Sequence, residues 1–151
     1  MFSYFVGNGE DGLHLAMSFD GLHFVALNGG QSFLTPTAGR DRLMRDPCIT
    51  RGPDGRFHMV WTVSWGERGI GYAHSADLLT WSPQRYLPVM EHEPTARNCW
   101  APEVFYDAAT ECFVLFWATT IPGRFGQTEA SGDNGWNHRI YATTTRDFES
   151  F

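Results

Sequence analysis

Ser75-Ala76-Asp77-Leu78-Leu79-Thr80-Trp81 is one of three versions of a single phrase in this chain, the others being Ser18-Phe19-Asp20-Gly21-Leu22-His23-Phe24 and Thr145-Arg146-Asp147-Phe148-Glu149-Ser150-Phe151. Each carries a hydroxyl residue, an Asp two positions later and an aromatic four positions beyond that. The register extends upstream, with Leu13, Ile70 or Ile140 seven residues before the Asp and Leu15, Tyr72 or Ala142 five before. A period-2 strand running into a tight turn fits this pattern, with the Asp carboxylate binding amides of its own turn and the aromatic anchoring the outgoing strand. The Asp-to-Asp spacings of 57 and 70 residues suit a four-stranded repeat with loops.

Between these phrases lie two hairpins that align on a proline. Arg45-Asp46-Pro47-Cys48-Ile49-Thr50 is followed by a Gly52-Pro53-Asp54-Gly55 turn and the apolar run Phe57 to Val63. Trp100-Ala101-Pro102-Glu103-Val104-Phe105-Tyr106 is followed by a turn at Asp107 to Thr110 and the run Cys112 to Trp117. A unit of Pro-led strand, apolar strand, small-residue strand and aromatic-anchored strand is a four-stranded antiparallel blade, so the fold expected is an all-β propeller. Residues 1–30 are then the outer strands of one blade, 44–90 a second and 98–151 a third. The segment from Ile121 to Trp136 reads as a long loop inside the third unit, where binding residues tend to collect. About two and a half blades do not close a ring, so the expectation is a truncated propeller domain whose open edges favour self-association.

Composition agrees with a β-rich domain: 15% of the 151 residues are aromatic, with 16 Gly and 8 Pro. All 11 basic residues are Arg and the formal charge is -6, which argues against a nucleic-acid backbone as partner. No stretch approaches the ~20 apolar residues of a membrane span, and Met1 to Gly9 lacks the basic start of a signal peptide, so the expected location is cytoplasmic. Cys48, Cys99 and Cys112 show no CxxC spacing and read as reduced thiols. Gly7-Asn8-Gly9-Glu10-Asp11-Gly12 matches a dinucleotide-binding pattern, but the alternating Leu13 to Ser18 that follows predicts a hairpin turn where a helix would be required. The histidines form no metal-binding pair on a helix.

The carboxylates are the candidate site. Asp46 precedes its proline by one residue and Glu103 follows its proline by one, so regular alternation sends both side chains to the same face of two innermost strands. Together with indoles such as Trp100 and Trp65 they outline a sugar cleft, since indole stacks on sugar C–H faces and carboxylates bind hydroxyl and glycosidic oxygens. The competing structural reading has Asp46 capping turn amides and Glu103 pairing with Arg45 or Arg97.

Arg45-Asp46-Pro47, Gly71 to Trp81 and Trp100-Ala101-Pro102-Glu103 resemble the five-bladed β-propeller glycosidases of family 43, the β-xylosidase, α-L-arabinofuranosidase and arabinanase group. The resemblance runs along the whole chain but covers about half of such a propeller, its N-terminal half. It implies a glycoside hydrolase acting on arabinose- or xylose-containing oligosaccharides or polysaccharides by inversion, with Asp46 as the base that activates water. It also implies Trp100 and Glu103 as binding or supporting residues lining the same cavity, beside which Arg45 and Trp65 are further substrate-binding candidates. Arg-Asp-Pro after a complete repeat also resembles invertase-like enzymes, where that Asp stabilises the transition state. The family's pKa-tuning Asp and general-acid Glu belong to later blades. No cofactor is implied, and a channel calcium is not legible in this sequence. The alternative from a different class is a non-catalytic carbohydrate-binding propeller fragment.

Overall fold

The computed structural model describes residues 1–131 and 135–151, with three antiparallel sheets and no long helix. The strands are β1 (Phe2–Tyr4), β2 (His14–Met17), β3 (Val25–Ala26), β4 (Arg45–Arg51), β5 (Phe57–Thr62), β6 (Ile70–Ser75), β7 (Arg85–Leu87), β8 (Trp100–Asp107), β9 (Cys112–Thr119) and β10 (Arg139–Thr145). They pair as β1-β2-β3, β4-β5-β6-β7 and β8-β9-β10, each neighbour in sequence being a neighbour in the sheet. This is a set of propeller blades, all-β and partial.

The three repeated phrases are the turns that end β2, β6 and β10. In each, one Asp oxygen accepts two successive amides: Leu22 and His23 for Asp20, Leu79 and Thr80 for Asp77, Glu149 and Ser150 for Asp147. The preceding hydroxyl takes the amide three residues on, from Gly21, Leu78 or Phe148, at 2.8 to 2.9 Å. That residue has φ of 76°, 67° or 58°, so the turn needs the left-handed conformation and the hydroxyl–Asp pair satisfies the amides it leaves exposed. The expected aromatic anchors are only partly so. Trp81 packs on the core, whereas Phe24 and Phe151 are half exposed. In the third turn the anchor is Phe148, which is buried and stacks on Tyr72 at 4.2 Å.

The middle sheet is covered on both faces, which is why β5 is apolar almost throughout. Met59, Trp61 and Val63 face Leu13, Leu15 and Met44, while Val60 and Tyr72 face Val104, Leu115, Trp117 and Phe148 of the third sheet and its turn. The Trp61 ring lies on the backbone of Gly71, where an added Cβ would come within 2.0 Å of Cε2. Burying each such side chain contributes roughly 1.5–3 kcal/mol. Between β1 and β2, the Gly7 to Gly12 segment is an irregular turn leading into a strand, and Gly12 sits so close to the Leu34 carbonyl that a Cβ would be 1.9 Å from its oxygen. Gly12 is there for close contact with the chain, and the segment joins the antiparallel β1 and β2, as the hairpin reading expected.

The segment 121–136 contains a short 3-10 helix at Gly126–Ser131, a turn of structure that the lack of periodicity did not predict. Its residues 132–134 lie outside the described residues.

Candidate active site

β4 and β8 carry the same distortion at the same place. Arg45 pairs with Thr62 and Cys48 with Val60, so Asp46 and Pro47 together sit opposite Trp61. Trp100 pairs with Ala118 and Glu103 with Phe116, so Ala101 and Pro102 sit opposite Trp117. Proline has no N–H to give the ladder, and the extra residue is accommodated as a bulge. The residue before each proline is left-handed, with φ of 50° at Asp46 and 46° at Ala101. A non-glycine residue there costs on the order of 1–2 kcal/mol. Asp tolerates it better than Ala, and repetition of the outlier on two blades makes this end of the inner strands the place to look for function.

Both bulges are tied to one buried hydroxyl. Thr62 Oγ1 donates to Asp46 Oδ2 at 3.1 Å and accepts the Ala101 N–H at 2.8 Å. Among the described residues Asp46 accepts no turn amide, no hydrogen bond occupies its Oδ1, and Glu103 has no ion pair. The inner-edge strands β1, β4 and β8 lie side by side, linked by the Ser3 hydroxyl donating to the Pro47 carbonyl at 2.6 Å and by the Cys48 thiol lying against the Val104 backbone. Between them is an open cavity of about 350 Å³ lined by residues that include Asp46, Ala101, Glu103 and Ser3. The two carboxylates thus share one cavity, although a bulge intervenes where the sequence reading assumed regular alternation. Burial, with the Glu103 charge nearby, pushes the Cys48 thiol up, and burial takes Cys99 to about 12, which suits structural thiols.

Arg45 and Trp100, equivalent residues just before Asp46 and Ala101, belong to an aromatic rim. The Arg45 guanidinium lies over Phe5 at 4.7 Å and over Trp65 at 4.4 Å. Trp65 meets Trp100 edge-on at 5.3 Å, and Trp100 packs on Trp136 at 4.7 Å and on His138 at 4.9 Å. The Trp100 indole donates to the Trp65 carbonyl at 3.1 Å, and Asn8 Oδ1 accepts from both Arg45 and the Trp65 indole. Trp65 is nevertheless 48% exposed, so it offers ring surface to solvent. Burial holds the His138 pKa below its ordinary value, which keeps the ring neutral at neutral pH.

The five residues singled out from the sequence are therefore found on two adjoining features: Asp46 and Glu103 on the cavity, Arg45, Trp65 and Trp100 on the rim. Sequence reasoning missed Thr62, whose only signal was a hydroxyl interrupting an apolar strand. It also missed Asn8, which hid inside a misleading glycine motif, and the pairing of Trp136 with His138, which depends on a loop folding back. Among the described residues no three His, Cys, Asp or Glu side chains gather as a metal site.

A family model described as "Probable glycosyl hydrolase domain", related to glycosyl hydrolase family 43, matches residues 1–151. No curated protein matches the chain significantly. Among solved structures, an N-acetylgalactosamine deacetylase from F. plautii, in complex with blood group B trisaccharide, superposes with a TM-score of 0.58 at 18% identity, over 93% of this chain and 43% of that one. A native Bacillus subtilis arabinanase gives 0.47 at 18% identity, over 73% and 35%. A Hadza microbial sialidase gives 0.48 at 16% identity, over 85% and 30%. The chain spans less than half the length of each of these structures.

Proposed function

Because the chain belongs to the glycosyl hydrolase 43-related family over residues 1–151, we propose that it acts on glycans as part of an inverting glycoside hydrolase for arabinose- or xylose-containing substrates. The observation that carries this reading is the paired bulge, which puts Asp46 under strain at the mouth of a cavity it shares with Glu103. Thr62 occupies Asp46 Oδ2, leaving Oδ1 to take a proton from water as that water's oxygen attacks the anomeric carbon. The glycosidic C–O bond breaks on the opposite face, and the departing oxygen takes a proton from a second carboxyl group. In the family 43 pattern that donor lies on a later blade, and Glu103 serves here as a carboxylate that binds sugar hydroxyls. The exposed Trp65 and the neighbouring Trp100 present ring surface for stacking a sugar beside the cavity.

Hydrolysis of aryl α-L-arabinofuranosides and β-xylosides tests this. Asp46→Asn is expected to lower kcat by about 10²–10⁴-fold, the usual worth of a positioned general base, and unchanged turnover would remove Asp46 from the chemistry. A second reading, carbohydrate binding without turnover, is favoured by the carboxylate inventory, since among the described residues Asp46 and Glu103 are the acidic groups of this cavity and Glu103 is read above as a binding group. The related fold of the F. plautii protein, which was crystallised with a trisaccharide, is compatible with either reading. Calorimetric titration with xylo- and arabino-oligosaccharides separates the two: heat of binding that Trp100→Ala abolishes, with no product formed, supports the binding module.

A further inference from the structure

A second cavity, of about 440 Å³, opens between the middle and third sheets at the end of the blades opposite Asp46. Its lining comes from the β4–β5 turn, from β6 and from the Asp147 turn, so it is formed by one blade against the next. Its inner wall is a closed stack: Phe148 lies on Tyr72 at 4.2 Å and on the His58 ring at 5.0 Å, and His58 is locked by the Tyr72 hydroxyl at 2.9 Å and by Asp54 at 3.2 Å. Its rim carries Arg56, Arg85 and Arg146, three of the chain's 11 cations, supplied by three separate segments.

Three carboxylates share that rim, two of them bonded away from its arginine side chains and the third paired with Arg85. Asp54 Oδ1 accepts from the Arg56 amide and meets the His58 ring, while Asp147 accepts the amides of its own turn. Glu149 lies 3.8 Å from Arg85, which also donates to the Phe148 carbonyl. The Arg56 guanidinium makes no hydrogen bond and no close ion pair among the described residues, and the Asp54 carboxylate is near enough for its charge to be felt. Arg146 has one long bond, 3.4 Å, to the Thr110 carbonyl. The fork-shaped donors of both remain open, and beside them stand the His74 ring and the Ser82 hydroxyl.

We propose that this inter-blade cavity binds an anionic sugar, with its carboxylate or phosphate between Arg56 and Arg146 and its ring in the space toward His74 and Ser82. Guanidinium forks fit planar or tetrahedral oxyanions in two-point contacts, and the volume falls in the range of small-ligand pockets. That the ligand is a sugar rests on the carbohydrate reading above; that it is an anion does not. The site lies away from Asp46 and needs no turnover.

Calorimetry on the 151-residue protein with glucuronic acid, glucose 6-phosphate, glucose and inorganic phosphate tests it. Either charged sugar should bind at least about tenfold tighter than glucose and than inorganic phosphate, and whichever binds identifies carboxylate or phosphate as the partner group. Arg56→Gln and Arg146→Gln should each weaken that binding by about tenfold or more, the loss expected for a charged hydrogen bond. Both arginines are exposed, so unchanged melting temperatures will show that the variants are folded. Asp46→Asn should bind like the wild type, which keeps failure here distinct from failure of the hydrolase reading. Equal affinity for glucose, equal affinity for inorganic phosphate, full affinity in the Arg56→Gln, Arg146→Gln double variant, or no binding at millimolar concentration would each overturn the proposal.

Discussion

Thr62 is the residue on which the candidate active site turns. It is buried, and its single hydroxyl holds the Asp46 carboxylate on one side and the Ala101 amide on the other, linking two strained bulges across two blades. Thr62→Val keeps the shape and removes both bonds, leaving a part-buried amide and carboxylate oxygen without a partner. The expected cost is about 1–3 kcal/mol in denaturant unfolding. In the proposed hydrolase, kcat should fall about tenfold or more as Asp46 loses its orientation, with KM little changed. Thr62→Ser should restore both quantities in large part, which distinguishes a role for the hydroxyl from one for the methyl group.

At the scale of the element, the hydroxyl–Asp turn explains why one short phrase recurs. Its Asp carboxylates are stabilised as anions by amides fixed in the turn. In Asp147 the amides of Ser150 and Glu149 bring the pKa from its ordinary 3.8 to about 2, and the amides of Thr80 and Leu79 lower Asp77 as well. A pKa depressed in the folded state means the unfolded chain binds the proton more tightly, so the turn's contribution is complete above about pH 4 and fades as pH falls toward about 2. Melting temperature should therefore drop across that window, and Asp147→Asn should show a lower melting temperature at neutral pH with a flatter acid limb. Wild-type and variant melts that run parallel through the window would contradict this account of the turn.

For the whole molecule, the middle sheet is the keystone, because among the described residues it is the sheet with both faces covered by other sheets. Met59 belongs to the cluster shared with the first sheet and Val60 to the cluster shared with the third, and neither is exposed to solvent. Met59→Ala should cost about 2–5 kcal/mol in chemical denaturation, and Val60→Ala somewhat less. Phe105, 46% exposed on the outward face of β8, should cost well under half as much as Met59 when replaced by Ala. Comparable losses at positions 59 and 105 would mean that the third sheet, not the second, holds the molecule together.

The all-β architecture, the blade unit and the three turns were legible in the sequence because each depends on local rules: a two-residue period, a proline that excludes a ladder bond, and an Asp that reaches only its own next few amides. Arg45, Asp46, Trp100 and Glu103 stood out for a related reason, since position relative to a strand-leading proline fixes position along the strand, whereas Trp65 stood out only as an indole. Whether Asp46 would cap its own turn or face a cavity was a tertiary decision, made by Thr62, 16 residues along the chain, and by the packing of β8 beside β4. Asn8 beneath Arg45 and Trp65, the stacking of Trp136 and His138 on Trp100, and the arginine-rimmed cavity between blades are likewise products of the fold. Each joins residues from separate segments, and no pattern along a single strand encodes which segments will meet.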